Sequence, residues 1–248
     1  MTTVRGTSVD ITTPDGVADA YLAHPDDGER HPAVLLYGNA FGLRPHLRTM
    51  ADRLAGAGYT VLVPNLFHRH GRAPILDLPE LIDPGTVWDE VEPMVRALTP
   101  ERAMRDAGAW LNFLAECPAA VDGPIGITGY CLGAVLALRT AGTYPDRVAA
   151  AAGYHGGGLA TDAPDSPHLL ADRVSAELYF GHADQDPSLP AEQIDRLDKA
   201  LTAAGVRHRC EVYPGAGHGF TQADTVAYHP DGDARHWESM LALLDRTL

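Results

Sequence analysis

The sequence predicts a doubly wound α/β domain, a mostly parallel sheet with helices on both faces, and three observations carry that expectation. Short runs that are apolar at nearly every position recur along the chain (32–38, 59–66, 124–130, 148–154 and 176–181), as expected of strands buried on both faces. Amphipathic stretches of helical period lie between them (44–57, 101–117, 191–204 and 235–246), together with a small-residue helix at 132–143. Parallel strands need such crossovers, and right-handed crossovers wind helices onto both faces.

Taken in order, residues 8–25 read as an edge hairpin about Pro14-Asp15-Gly16, a turn triplet between β-rich runs. Two strand-then-helix or strand-then-loop units follow. The proline-rich stretch 64–100 contains helix-like pieces but no clear strand, and is expected to be an insertion that forms a lid or one wall of a pocket. The helix at 101–117, the strand at 124–130 and the helix at 132–143 restore the alternation, which a strand at 208–214 and the helix at 235–246 complete. No repeat or linker divides the chain, so one domain spanning 1–248 is expected.

The bulk composition narrows the partners. A chain of 248 residues that is 45% hydrophobic and 21% charged is long enough to bury a core. Its net charge of −14, without a basic cluster, argues against nucleic acid and anionic membrane surfaces. No run approaches the roughly 20 apolar residues of a membrane span, and the amino terminus lacks a basic segment followed by an apolar one, so a cytoplasmic protein is expected. The oligomeric state is not legible. Three cysteines, Cys117, Cys131 and Cys210, have neither the even count of a disulfide framework nor a C-x-x-C spacing for zinc.

One of them sits in the sharpest motif of the chain. An apolar strand runs into Gly129-Tyr130-Cys131-Leu132-Gly133 and then into a helix. A nucleophile at the tip of a strand-to-helix turn needs little bulk two residues to either side, because the backbone packs closely there. The helix beyond Cys131 aims N–H groups and a partial positive charge at the sulfur, which favours thiolate, and the Leu132 amide can donate to an oxyanion. An acid and a base then follow in the chain order of such sites. Asp184 and Asp186 come after one apolar run, and His218, flanked by Gly217 and Gly219, comes after another. Loops at the carboxyl ends of parallel strands converge on one crevice.

With Asn39-Ala40-Phe41-Gly42 after the first buried strand, Asp186 before Leu189-Pro190, and Gly217-His218-Gly219-Phe220, the chain resembles the dienelactone hydrolases, α/β-hydrolases whose nucleophile is cysteine. The resemblance covers nearly the full length. It implies an α/β-hydrolase fold, hydrolysis of an ester or lactone through a Cys131 thioester, a Cys131-His218-Asp186 triad, and a second oxyanion donor in the Ala40 amide. Asp186 is chosen over Asp184 because the family aspartate precedes an apolar-proline pair by three and four residues.

Two positions depart from the pattern. The resembling enzymes that act on dienelactone have a carboxylate where this chain has Asn39, and a substrate-binding arginine where it has Gln222. An amide accepts no thiol proton, and Gln222 offers no bidentate charge clamp. Arg44 and Arg96 are the available replacement cations, each read as a solvated helix or loop residue.

The expected substrate contacts are Asn39, Phe41, Tyr130, Tyr154 and Gln222. Phe67-His68-Arg69-His70 is expected beside the crevice, but two histidines without a carboxylate or cysteine at ligand spacing do not make a metal site, and neither metal nor cofactor is expected. The expected partner is a small ester or lactone. An acyltransferase or thioesterase on the same triad, or an inactive binding module that keeps the pocket, remain the alternatives.

Overall fold

The computed structural model describes residues 2–248. Eight strands form one sheet: β1 (Val4–Thr13), β2 (Gly16–Pro25), β3 (Ala33–Tyr37), β4 (Thr60–Pro64), β5 (Ile125–Tyr130), β6 (Val148–Tyr154), β7 (Glu177–Gln185) and β8 (His208–Gly217), in the spatial order β1-β2-β4-β3-β5-β6-β7-β8. The hairpin β1-β2 is antiparallel, β2 joins β4 antiparallel, and every pair from β4 to β8 is parallel. β1 is therefore the edge and β2 an interior strand.

The six α-helices are α1 (Pro45–Gly56), α2 (Pro84–Ala97), α3 (Pro100–Glu116), α4 (Leu132–Thr143), α5 (Ala191–Ala203) and α6 (Pro230–Thr247). Alternation along the buried strands assigns them to layers. Ala33, Leu35 and Tyr37 of β3 face a core shared with Trp110 and Leu114 of α3, Leu136 of α4 and Leu197 of α5. Val34 and Leu36 face the other core, with Leu47 and Leu54 of α1 and Met240 and Leu244 of α6. This is the doubly wound arrangement.

The stretch 64–100 contains a 3-10 turn at His68–His70 and the helix α2, started by Pro84 and capped by the Asp83 side chain on the Gly85 amide at 2.9 Å. Ile82 also bridges Thr225, through Ile82 N to Asp224 O at 2.8 Å and Val226 N to Ile82 O at 3.0 Å. Two element starts differ from the sequence reading by more than one residue. β1 begins at Val4 and not near residue 8, because its mostly exposed first half is held by continuous antiparallel pairing to β2 from Val4 opposite Pro25 to Thr13 opposite Gly16. α6 begins at Pro230, five residues early, because a polar first turn that hides the helical period is closed by Pro230 and by the His229 ring accepting from the Gly232 amide at 3.0 Å.

β5 and α4 meet with no room to spare. A Cβ on Gly129 would lie 2.0 Å from the Gly133 carbonyl oxygen, and one on Gly133 would lie 2.3 Å from the carbonyl of Tyr37 in β3. Backbone atoms cannot retreat as side chains do. Gly133→Ala is therefore expected to lower unfolding stability by about 1–3 kcal/mol, as overpacking does. Gly217→Ala, whose Cβ meets nothing within 4 Å, should stay within about 0.5 kcal/mol. Urea unfolding of the two variants measures both, and equal losses would show that close packing at the β5–α4 turn is not what requires Gly133.

Candidate active site

Cys131 occupies the turn between β5 and α4 with φ 55 and ψ −113, a backbone that side-chain-bearing residues rarely adopt. Its amide donates to the Tyr154 carbonyl at 3.0 Å, which ties the turn to the end of β6. Asp186 follows β7 directly, and its Oδ1 accepts from the Ser188 amide at 2.8 Å. Its Oδ2 accepts from His218 Nδ1 at 2.7 Å. With Nδ1 engaged by Asp186, the Nε2 edge of His218 is the one left for a proton exchanged with Cys131, whose sulfur lies near enough to raise the ring's pKa. Asp184 points elsewhere, accepting from the Gly215 amide at 3.0 Å.

The electrostatics follow from these contacts. Burial opposes charge on His218, but the Asp186 and Cys131 hydrogen bonds and charges outweigh it and push the imidazole up to about 10. Burial raises the Asp186 carboxyl, but its hydrogen bonds from His218 and from the Ser188 amide bring it net below its ordinary value.

Ala40 lies in the loop after β3, where its N–H donates to no group among the described residues. Leu132 is the first residue of α4, a position whose amide has no intrahelical acceptor. Phe41 and Ala40 pack against Ile82 and Val91, so the 64–100 stretch covers this loop.

Several expected contacts lie elsewhere. Tyr130 and Tyr154 do not face the crevice: both are fully buried toward α6, where the Tyr130 hydroxyl pairs with His236 Nε2 at 2.9 Å and the Tyr154 hydroxyl with Ser239 Oγ at 3.0 Å. A residue at a strand's end has its side chain on one face of the sheet, and for both tyrosines it is the α6 face. Gln222 is also buried, with Oε1 accepting from Arg44 Nη2 at 2.9 Å. Asn39 Oδ1 accepts from Arg44 Nη1 at 2.8 Å and from the Phe41 amide at 3.3 Å.

Arg44 itself is 4% exposed, which corrects its reading as a solvated residue. Its five N–H groups are all engaged: Nε and Nη2 chelate Asp224 at 2.6 and 2.9 Å, Nη2 also reaches Gln222, and Nη1 holds Asn39 and, at 3.4 Å, the Gly42 carbonyl. Arg96 is exposed and pairs with Glu92. The expectation that residues 67–70 flank the crevice also fails for the two polar side chains that anchor them. His68 and Arg69 bind buried Asp106 of α3, at 3.3 and 2.8 Å. A cavity of about 380 Å³ lies between Arg44, His46, Asp224 and the 74–82 segment, and none of the Cys131, Asp186 and His218 side chains lines it.

His155 belongs to the Tyr154-His155-Gly156-Gly157-Gly158 stretch, which the sequence offers either as part of the pocket floor or as a plain tight turn, with no role for the histidine itself. It follows β6 as Cys131 follows β5, is fully buried, and its ring stands 5.3 Å from that of His218 at 68°. The available signal was positional, a histidine immediately after an apolar strand. Among the described residues, Asp198, His208 and Cys210 bring three potential metal-ligating atoms within 4.8 Å of one another, at the start of β8 and far along the strand from His218. His208 faces the Val206 carbonyl with Nδ1 at 2.8 Å and Asp198 with Nε2 at 3.1 Å, so both ring nitrogens are already engaged, and burial pushes the Cys210 thiol up to about 12.

Comparison with known proteins finds relatives over nearly the full length of the chain. A dienelactone hydrolase family profile matches residues 18–248. Carboxymethylenebutenolidase of Rhodococcus opacus is 29% identical over 234 residues, which cover 92% of this chain and 86% of that protein. In fold, the chain superposes on a dienelactone hydrolase-like promiscuous phosphotriesterase from metagenomic libraries with a TM-score of 0.82, at 21% identity and 98% coverage of each chain. It also superposes on Pyrococcus horikoshii acylaminoacyl peptidase with a TM-score of 0.73 at 17% identity, covering 100% of this chain and 42% of that one. The chain belongs to the dienelactone hydrolase family and is an α/β-hydrolase-fold hydrolase of that kind.

Proposed function

We propose that the chain hydrolyses a neutral ester or lactone through a thioester on Cys131, with His218 carrying the proton and Asp186 holding the His218 tautomer. One observation carries this reading. A single imidazole is held at Nδ1 by a buried carboxylate and is raised in pKa by the neighbouring Cys131, whose sulfur sits at a strained strand-to-helix turn.

In this mechanism the Cys131 proton rests on His218, whose raised pKa keeps the imidazole charged at neutral pH, and the sulfur bonds to the carbonyl carbon as thiolate while the C=O electron pair moves onto oxygen. The amides of Leu132 and Ala40 receive that oxyanion. Its collapse breaks the C–O bond, and His218 gives its proton to the leaving alkoxide, which in a lactone stays tethered to the acyl chain. His218 then takes a proton from water as the hydroxyl attacks the thioester. The second collapse expels the sulfur as thiolate, and the proton taken from water stays on His218. One water is consumed, and no cofactor takes part in these steps.

The charge preference rests on Arg44. All five of its donors are engaged and its charge is matched by Asp224, so it has none to spare for a substrate carboxylate. A carboxylate buried without a cation is costly.

Three outcomes test the reading. Cys131→Ala should lower kcat by about a hundredfold or more with an unchanged circular dichroism spectrum; retention of more than about a tenth of wild-type kcat would end the cysteine assignment. Asp186→Asn should cost activity by about 10² to 10⁴ while Asp184→Asn costs little, since only a partner of Nδ1 sets the tautomer; the reverse order would exchange their roles. For matched neutral and anionic esters, kcat/KM should favour the neutral one by about tenfold or more at two salt concentrations. A preference for the anion that weakens with salt would mean that a cation serves the pocket.

A further inference from the structure

We propose that His155 is a positioning residue for His218, held in one neutral tautomer by a chain of directed hydrogen bonds that begins at the Arg44–Asp224 pair and runs through Gln222 and Thr221. The proposal rests on the reading of His218 as the proton carrier. The direction of each bond can be derived. Arg44 only donates, so the atom it meets on Gln222 at 2.9 Å is the amide oxygen, and the Gln222 NH2 is left to donate. It donates to Thr221 Oγ1 at 2.9 Å. That hydroxyl has one other hydrogen-bonding neighbour among the described residues, His155 Nε2 at 2.8 Å.

If His155 carried its proton on Nε2, the Thr221 hydroxyl proton would have no acceptor and the bare Nδ1 no donor. With the hydroxyl donating to Nε2, the His155 proton sits on Nδ1 and only that N–H lacks a partner, as the structure records for this buried atom. The chain of donors therefore selects the Nδ1–H form. A second proton would have to displace the Thr221 hydroxyl in a site closed to water. Burial, together with the neighbouring His218 and His236, also holds His155 well below the ordinary histidine range.

The ring is held as firmly as its proton. His155 has φ 40, its amide donates to the Gly181 carbonyl of β7 at 2.8 Å, and Phe220 packs edge-on at 5.2 Å. Against this wall stands His218, whose side chain is 31% exposed and otherwise fixed by Asp186 and Cys131. A neutral wall lets His218 carry the positive charge that its raised pKa gives it. A charged one would repel it.

The test reads the tautomer and turnover separately. In ¹⁵N NMR of the full-length protein, His155 should show a protonated Nδ1 and a bare Nε2 from about pH 5 to 9, a range in which an unperturbed histidine would titrate. Thr221→Val, which keeps the shape and removes the hydroxyl, should lose that single tautomer and lower kcat by about tenfold with KM within about twofold, as misplacement of a proton carrier does. Thr221→Ser should restore both. A His155 proton on Nε2 in the wild type, a charged His155 at neutral pH, or wild-type kcat in Thr221→Val would each overturn the proposal. The NMR measurement does not depend on turnover, so an active Cys131→Ala enzyme whose His155 keeps the stated tautomer would fail the thioester mechanism and leave the hydrogen-bond chain standing.

Discussion

The close approach of α4 to the ends of β3 and β5 is the constraint on which the site depends. Cys131 at φ 55 is strained by an amount of order 1–3 kcal/mol, and such a conformation persists only where the surroundings over-determine it. Here they do so through backbone contacts. Gly129 and Gly133 leave no space for a Cβ, and the Cys131 amide is bound to the Tyr154 carbonyl. The turn cannot relax without separating α4 from the sheet. The same contact aims the start of α4 at the sulfur, so the strain and the electrostatic setting of Cys131 have one structural origin.

A second constraint is the buried guanidinium. Asn39 and Gln222 stand far apart in sequence, and both end on Arg44. A buried cation is tolerable only when its charge is matched and its donors are satisfied; leaving one unpaired costs several kcal/mol. Asp224 matches the charge and the two amides absorb donors that a carboxylate would otherwise overcharge. The two amides are thus parts of one internally neutral cluster. The Gln222 amide also passes this order onward to Thr221 and His155.

Beneath the site, the α6 face of the sheet holds a hydrogen-bonded set of Tyr130, Tyr154, Tyr179, Tyr213, His236 and Ser239. These groups satisfy one another in the interior and fix the ends of β5 and β6, from which Cys131 and His155 project. On the other side, the 64–100 stretch packs on Ala40 and Phe41 and is bridged to Thr225. The loop carrying the candidate oxyanion donor is therefore held from outside as well as by β3.

The linear sequence was enough for the alternation of strands and helices, since continuous apolar runs and helical periodicity are local properties. It was enough as well to place an aspartate pair and His218 after Cys131 in chain order, because each follows a strand end and the parallel sheet brings those ends together, whereas the choice of Asp186 over Asp184 came from the family resemblance. Only the tertiary structure decided which face of the sheet Tyr130 and Tyr154 occupy, because a residue at a strand end can turn to either side. Only it brought Arg44, Asn39, Gln222 and Asp224 to one point, since a charged residue at a helix start looks the same in sequence whether water or three loops surround it. His155 was invisible as a neighbour of His218 for the same reason: their contact is made by adjacent loops of separate strands, and no local pattern records which side chains a sheet's register sets face to face.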